Sequence, residues 1–373
     1  MSAQPIARSS WLQRYLLPGL AFKAVVIGGG YATGVELAQF FLPSGPVGGL
    51  IAILVATTIW SVVCVLTFSY AFSKQLFDYR QFFGELLGRG WLLFEITYLL
   101  LVLLILSVFG ASSGAIGQAL FGWPTLAGTL LLLASIAVIV AIGSRAVEPL
   151  FKYVSLLLYA TYALFLVLSL SKFGTRILAS LTGYGVGHGW LLGGVTYAGY
   201  NSFAAVVILP VLRHLTSRRD ALIAGLIAGP LAMLPGLFFF LSMIAWYPQI
   251  GKSLLPSDFL LLKIGIPAVR VLFQVMVFFA LLESGSGAVH AIMERTRRAL
   301  QTRGRDLTFG TRAMTTLSVL VLSVLAAQGV GLVALIAKGY GLMSWVMIAV
   351  FVVPLLYASF RPATLKVQNS SRS

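Results

Sequence analysis

Long apolar runs follow one another from Tyr15 to Phe360, with only short polar stretches between them. A helix needs about 20 apolar residues to cross roughly 30 Å of hydrocarbon. The pattern therefore predicts ten membrane-spanning helices, at 15–42, 46–72, 89–117, 125–143, 147–171, 189–212, 219–247, 266–294, 312–328 and 340–360. The apolar stretch 329–339 reads as a lead-in to the last span. No connection has room for a soluble domain. The expected organisation is an N-terminal arm (1–14), one membrane domain (15–360) and a C-terminal tail (361–373). The first run is too long for a cleaved signal peptide and reads as a retained span.

Two spans interrupt the smooth pattern. Span 1 contains Gly28-Gly29-Gly30-Tyr31-Ala32-Thr33-Gly34, and span 6 contains Gly193-Gly194-Val195-Thr196-Tyr197-Ala198-Gly199-Tyr200-Asn201-Ser202. Glycine costs about 1 kcal/mol in a helix interior relative to alanine. Unwound backbone at membrane depth is tolerated only where it is buried in protein or lines a cavity. Breaks in spans 1 and 6 fall at matching places if 15–171 and 189–360 are two inverted repeats of five spans. Such paired interruptions point to a transporter binding site. Other glycine pairs, Gly110 with Gly114 and Gly225 with Gly229, are read instead as close helix contacts. No strand precedes Gly28–Gly30, which excludes a nucleotide-binding loop.

Composition agrees with lipid as the solvent: 59% of residues are hydrophobic, 10% are charged, and mean hydropathy is +0.97. The net charge of +16 is topological. With the N-terminus placed in the cytoplasm, 18 Lys and Arg fall on cytoplasmic segments and 5 on the opposite side, as the positive-inside rule requires. Both termini are then cytoplasmic, in a multi-pass protein of the inner (cytoplasmic) membrane. The basic residues imply no nucleic acid; the expected partners are the bilayer and a small-molecule solute. The single Cys64 rules out an internal disulfide and a Cys-based metal cluster.

The run Gly28 to Phe41, GGGYATGVELAQFF, resembles the first-span signature of the YkvI-like bacterial membrane proteins. Ile336-Ala337-Lys338-Gly339-Tyr340-Gly341 resembles the same family. That family is similar to the amino acid–polyamine–organocation transporters. The resemblance implies an all-α membrane protein of the ten-helix LeuT type, a 5+5 inverted repeat with helices 1 and 6 broken. It also implies a solute site between spans 1, 3, 6 and 8, often with cation coupling.

The candidate substrate contacts are Gly28, Gly29, Gly30, Tyr31, Thr33 and Gly34 on span 1, and Tyr197, Gly199, Tyr200 and Asn201 on span 6. The resemblance adds Tyr98 of span 3. Thr33 and Glu36 have the T-x-x-E spacing of a capping box, so Thr33 is expected to cap the half-helix after the break. Alternatively Glu36 is an ion-coupling carboxyl, since a charge at the bilayer centre costs about 2.5–3.5 kcal/mol and is seldom idle. The same helix end favours an anion such as a solute carboxylate. Asn201 either caps the next half-helix or bonds the solute, and each tyrosine has plain packing as its alternative. Lys23 is expected to snorkel or pair with an acid. Glu95, near the end of span 3, is expected to snorkel.

Span 8 carries Glu283, Ser284, Ser286 and His290. By resemblance, Ser284 and Ser286 with the carbonyls of Gly28 and Tyr31 are a candidate sodium site, since hard cations take oxygen ligands. Glu283 offers proton coupling instead. No cofactor is expected beyond Na+ or H+ as coupling ion. The leading reading is a secondary transporter of a small organic solute, by default an amino acid or derivative. The alternatives are a transport-dead sensor and a membrane-embedded enzyme. No enzyme motif supports the latter: His188, His214 and His290 form no H-E-x-x-H pattern.

Overall fold

The computed structural model describes residues 10–142, 144–301, 304–306 and 308–360, backbone only at 144–156, 159 and 298. Expectations about the N-terminal arm up to residue 9 and about the tail 361–373 lie outside the described residues. Every described regular element is a helix. Eight helical stretches among them are long and apolar enough to cross a membrane. The first and sixth expected spans are absent from that count because each is broken into short pieces. The chain is thus an all-α multi-pass membrane protein with ten spans in sequence.

Span 1 runs as Leu17–Val26, Gly29–Thr33 and Val35–Phe40. Its first interruption is at Ile27 (ψ 85°) and the extended Gly28. The second is Gly34, at φ +80°, a left-handed conformation that residues with a Cβ seldom adopt. Span 2 (Gly45–Lys74) leads through a surface helix, Tyr79–Leu87, to span 3 (Trp91–Phe121). Asp78 caps that surface helix through the Arg80 N–H at 2.9 Å. Spans 4 (Thr125–Ile142) and 5 (Ser144–Gly183) complete the first half.

Span 6 consists of Trp190–Asn201, Ala204–Val207 and a 3-10 turn, Leu209–His214. Span 7 (Arg218–Ile244) is followed by an outer helix, Pro256–Ile264, then spans 8 (Pro267–Gln301) and 9 (Phe309–Val330). Gly331 at φ +81° separates span 9 from span 10, which runs unbroken over Leu332–Phe360. The 329–339 stretch is therefore largely the first part of span 10 and not a separate lead-in. It winds as a π-helix over Leu335–Tyr340, a ladder shift often found at functional sites.

The remaining glycine pairs bring helices together. A Cβ on Gly225 would lie 2.6 Å from Val65 Cα, and one on Gly229 would lie 2.5 Å from Thr57 O, both on span 2. A Cβ on Gly114 would lie 2.5 Å from Thr125 O of span 4. The Thr129 hydroxyl donates to Gly110 O at 2.9 Å across the same contact. Without a hydrophobic force between helices in lipid, such close approach and hydrogen bonding is what holds spans together.

Candidate functional site

A cavity of about 380 Å³ lies beside the span 1 break, on the half of the bundle where span 1 begins. Five spans wall it. Span 1 supplies Lys23 to Val25 and Ile27; span 3 supplies Tyr98, Val102, Ile105 and Phe109; span 5 supplies Leu158. Phe203 and Val207 come from the end of span 6. Span 8 presents Ala280, Glu283, Ser284, Gly287, Ala288 and Ala291, a set spaced three and four apart that forms one helical face. Its volume is in the range of small-molecule pockets, mostly apolar with a few convergent polar groups.

Of the candidate residues, Tyr98, Glu283 and Ser284 line this cavity. Ser286 does not: its hydroxyl donates to Leu282 O at 2.7 Å and is buried. Two residues apart on an α-helix means about 200° of rotation, so Ser284 and Ser286 face different ways. The expected sodium site built on both hydroxyls is therefore not assembled. His290 is exposed and outside the cavity.

The glycine break is next to the cavity but covered. Phe109 lies over Gly28, about 3.1 Å from where a Cβ would be, and Phe109 with Leu281 fills the same space at Gly29. Both covering side chains are buried. Gly30 accommodates the Glu36 side chain, which folds back over it. Tyr31 turns away to span 7, where its hydroxyl donates to Ala232 O at 3.2 Å and its ring packs on Gly236. The capping expectation for Thr33 is corrected: its hydroxyl bonds back to Gly29 O at 2.8 Å and Gly30 O at 3.1 Å. The N-cap of the next piece is Gly34, with no side-chain cap. The left-handed turn at Gly34 takes the place that a capping box would need.

Glu36 is enclosed in an aromatic box on the far side of the break. Tyr200 donates its hydroxyl to Glu36 Oε2 at 2.5 Å. The Tyr31 backbone N–H points to the same carboxyl. The Tyr200 ring stacks on Tyr340 of the π-helical turn at 4.4 Å between centroids and 19° between planes. Phe40, Phe41 and Trp60 surround Tyr197. The buried Tyr197 hydroxyl also points to the Glu36 carboxyl. No ion pair reaches Glu36 among the described residues. The two sequence stretches that carry the family resemblance thus meet in space, through Glu36, Tyr200 and Tyr340.

Span 6 breaks at the end of its marked stretch, after Asn201. The helix passes through Gly193 and Gly194, which pack on Phe40 O of span 1 and on Ala52 and Val55 of span 2. It ends at Asn201, and Ser202 donates to Gly199 O at 2.7 Å. Asn201 does not cap the following piece; its amide donates to Tyr197 O at 3.2 Å. Gly199 admits span 10, with Ser344 Cβ 3.1 Å from where its own Cβ would be.

Composition alone left several functional contacts unmarked. Glu95 does not snorkel: it pairs with Arg295 of span 8, and both side chains are largely buried. The Arg295 guanidinium lies 3.8 Å from the Tyr98 ring centroid and 3.9 Å from that of Tyr79. This cluster braces the cavity wall that Tyr98 forms. Opposite charges in spans 3 and 8 were the available signal. On the outer side, Arg270 bonds Asp258 at 2.7 and 2.9 Å and Ala119 O at 2.7 Å, joining the outer helix to spans 8 and 3. Phe109 carries no signal in sequence, being one apolar residue in an apolar span.

The overall arrangement is similar to solved transporter structures. The Eremococcus coleocola manganese transporter in complex with an aromatic bis-isothiourea substituted compound matches with a TM-score of 0.62 at 18% identity, over 95% of this chain and 81% of that one. A mutant of the same transporter matches at 0.58 and 15%, with the same coverage. MhsT in complex with L-phenylalanine matches at 0.54 and 17%, over 96% of this chain and 93% of that one. No family model and no curated protein matches the sequence. The fold is the LeuT type, with two sets of five spans and helices 1 and 6 broken.

Proposed function

We propose that the protein is a secondary transporter that carries a small organic solute, an amino acid or a derivative, across the inner membrane by alternating access. The observation that carries this reading is the 380 Å³ cavity at the break of span 1, open to two polar groups of span 8 and walled by spans from both halves. Fold alone does not fix function, but a cavity at such a break is where transporters of this architecture bind solute. The charge bias of 18 against 5 supports a cytoplasmic side for the N-terminus and the cavity. On this reading the state is inward-facing, with the Glu36 box on the outer side.

In this cycle, Gly34 and Asn201–Phe203 act as hinges. Glu36 is the coupling group, for a proton or a sodium ion, because it is the enclosed carboxyl that links span 1 to spans 6 and 10. Manganese is not taken over from the structural neighbour. Manganese favours carboxylate, carbonyl and water oxygens, and the lining of the cavity offers a single carboxylate, Glu283, with Lys23 in the same wall.

The test is solid-supported-membrane electrophysiology on purified protein in liposomes, with amino acids and small amines applied under a sodium gradient and then a proton gradient. A solute-dependent current absent from empty liposomes supports transport and names the coupling ion. No current and no radiolabelled uptake with any compound would favour a transport-dead sensor.

A further inference from the structure

Two charged side chains line the cavity, Lys23 and Glu283, and they differ in what they have left to offer. Lys23 is buried and already engaged in a contact of its own. Glu283 is partly exposed to the cavity. It has neither a hydrogen bond nor an ion pair among the described residues. A carboxylate at membrane depth that lacks a cation is costly and marks a site for one. Three aromatic rings, those of Tyr98, Phe109 and Phe203, stand in the same wall. Ring faces attract cations, and their area suits an apolar body.

A solute carboxylate finds no matching receiver. The break of span 1 would be its natural place. That backbone is covered at Gly28 and Gly29 by Phe109 and Leu281, and at Gly30 by the chain's own Glu36 carboxyl. The chain's own carboxyl group already occupies the place that the carboxylate of a zwitterionic solute would take.

We propose that the cavity holds an organic monoamine, one ammonium group on an apolar body of about ring size, with Glu283 as its counter-ion and Tyr98, Phe109 and Phe203 around the body. This narrows the transporter reading and rests on it. Ser284, one residue from Glu283 on the same face, adds a hydroxyl to receive a second ammonium hydrogen. One available carboxylate limits the solute to one positive charge.

The experiment is isothermal titration of the purified full-length protein with 2-phenylethylamine and with L-phenylalanine, which differ only by the carboxylate. The amine binds, and phenylalanine binds at least about tenfold more weakly. Glu283→Gln weakens the amine by about tenfold or more, the range for a lost charge-assisted bond, while the ligand-free melting temperature is not lowered. Gly287→Leu is the second variant: nothing lies within 4 Å of a Cβ there, so it folds, fills the cavity and removes amine binding. Phenylalanine binding as tightly as the amine, unchanged amine affinity in Glu283→Gln, or no binding of either compound would overturn the proposal. Currents with a different solute would then leave the transporter reading standing without this solute class.

Discussion

Gly34→Ala should destabilise the protein by about 2–5 kcal/mol, and the two sources of that cost can be separated. At φ +80° a Cβ meets the following carbonyl, which costs about 1–2 kcal/mol. The same Cβ runs into the Phe239 ring of span 7 and comes 3.2 Å from Pro256 Cβ of the outer helix. Overpacking of that kind costs about 1–3 kcal/mol more. Thermal melting of the purified protein in detergent, read by size-exclusion recovery, should show a drop of several degrees. Adding Phe239→Leu should recover the steric part, seen as a favourable coupling in the double-mutant cycle, and leave the backbone part in place. Gly287→Ala is the contrast: it is helical, and a Cβ there meets open space, so it should be neutral or stabilising by up to about 1 kcal/mol. If Gly34→Ala melts with the wild type, the left-handed hinge in span 1 is refuted.

Glu95→Gln should cost about 3–5 kcal/mol by leaving the largely buried Arg295 charge without its carboxylate, and adding Arg295→Met should restore most of the lost melting temperature. Tyr200→Phe removes the hydroxyl that donates to Glu36 and should cost about 1–3 kcal/mol; a melting curve identical to wild type would contradict the enclosed hydrogen bond. Gly225→Leu drives a side chain into the Val65 backbone and should abolish recovery of folded protein, whereas Gly310→Leu, beside which nothing lies within 4 Å, should not.

The order of ten spans was legible because each needs a long apolar run, and lipid leaves no alternative to helices. The break at Gly28–Gly34 was legible from glycine density, and the packing pairs Gly110/Gly114 and Gly225/Gly229 from their spacing. What happens inside the break was not. The T-x-x-E pattern at Thr33–Glu36 looks like a capping box, yet Gly34 turns left-handed and sends Glu36 back over Gly30. In span 6 the chain unwinds after Asn201, at the end of the marked stretch, while Gly193 and Gly194 serve helix contacts. Ser284 and Ser286 could have been separated in advance, since a spacing of two puts side chains on different helical faces. Phe109, Leu281 and the π-helical turn at Leu335–Tyr340 depend on how spans meet, which no local pattern records. Glu95 and Arg295 lie 200 residues apart, and only the packing of span 3 on span 8 brings them together.

The most direct test of the account is sided cysteine labelling in a Cys64→Ala background. Ala288→Cys places a thiol on the cavity wall, and Ala198→Cys places one in the buried layer behind Tyr197. A membrane-impermeant maleimide, applied to right-side-out and to inverted vesicles, should label position 288 from the face that carries the N-terminus. It should not label position 198 from either face. Labelling of 288 only from the opposite face, or labelling of 198 in preference to 288, would contradict a solute cavity that opens on the N-terminal side and is sealed beyond the break.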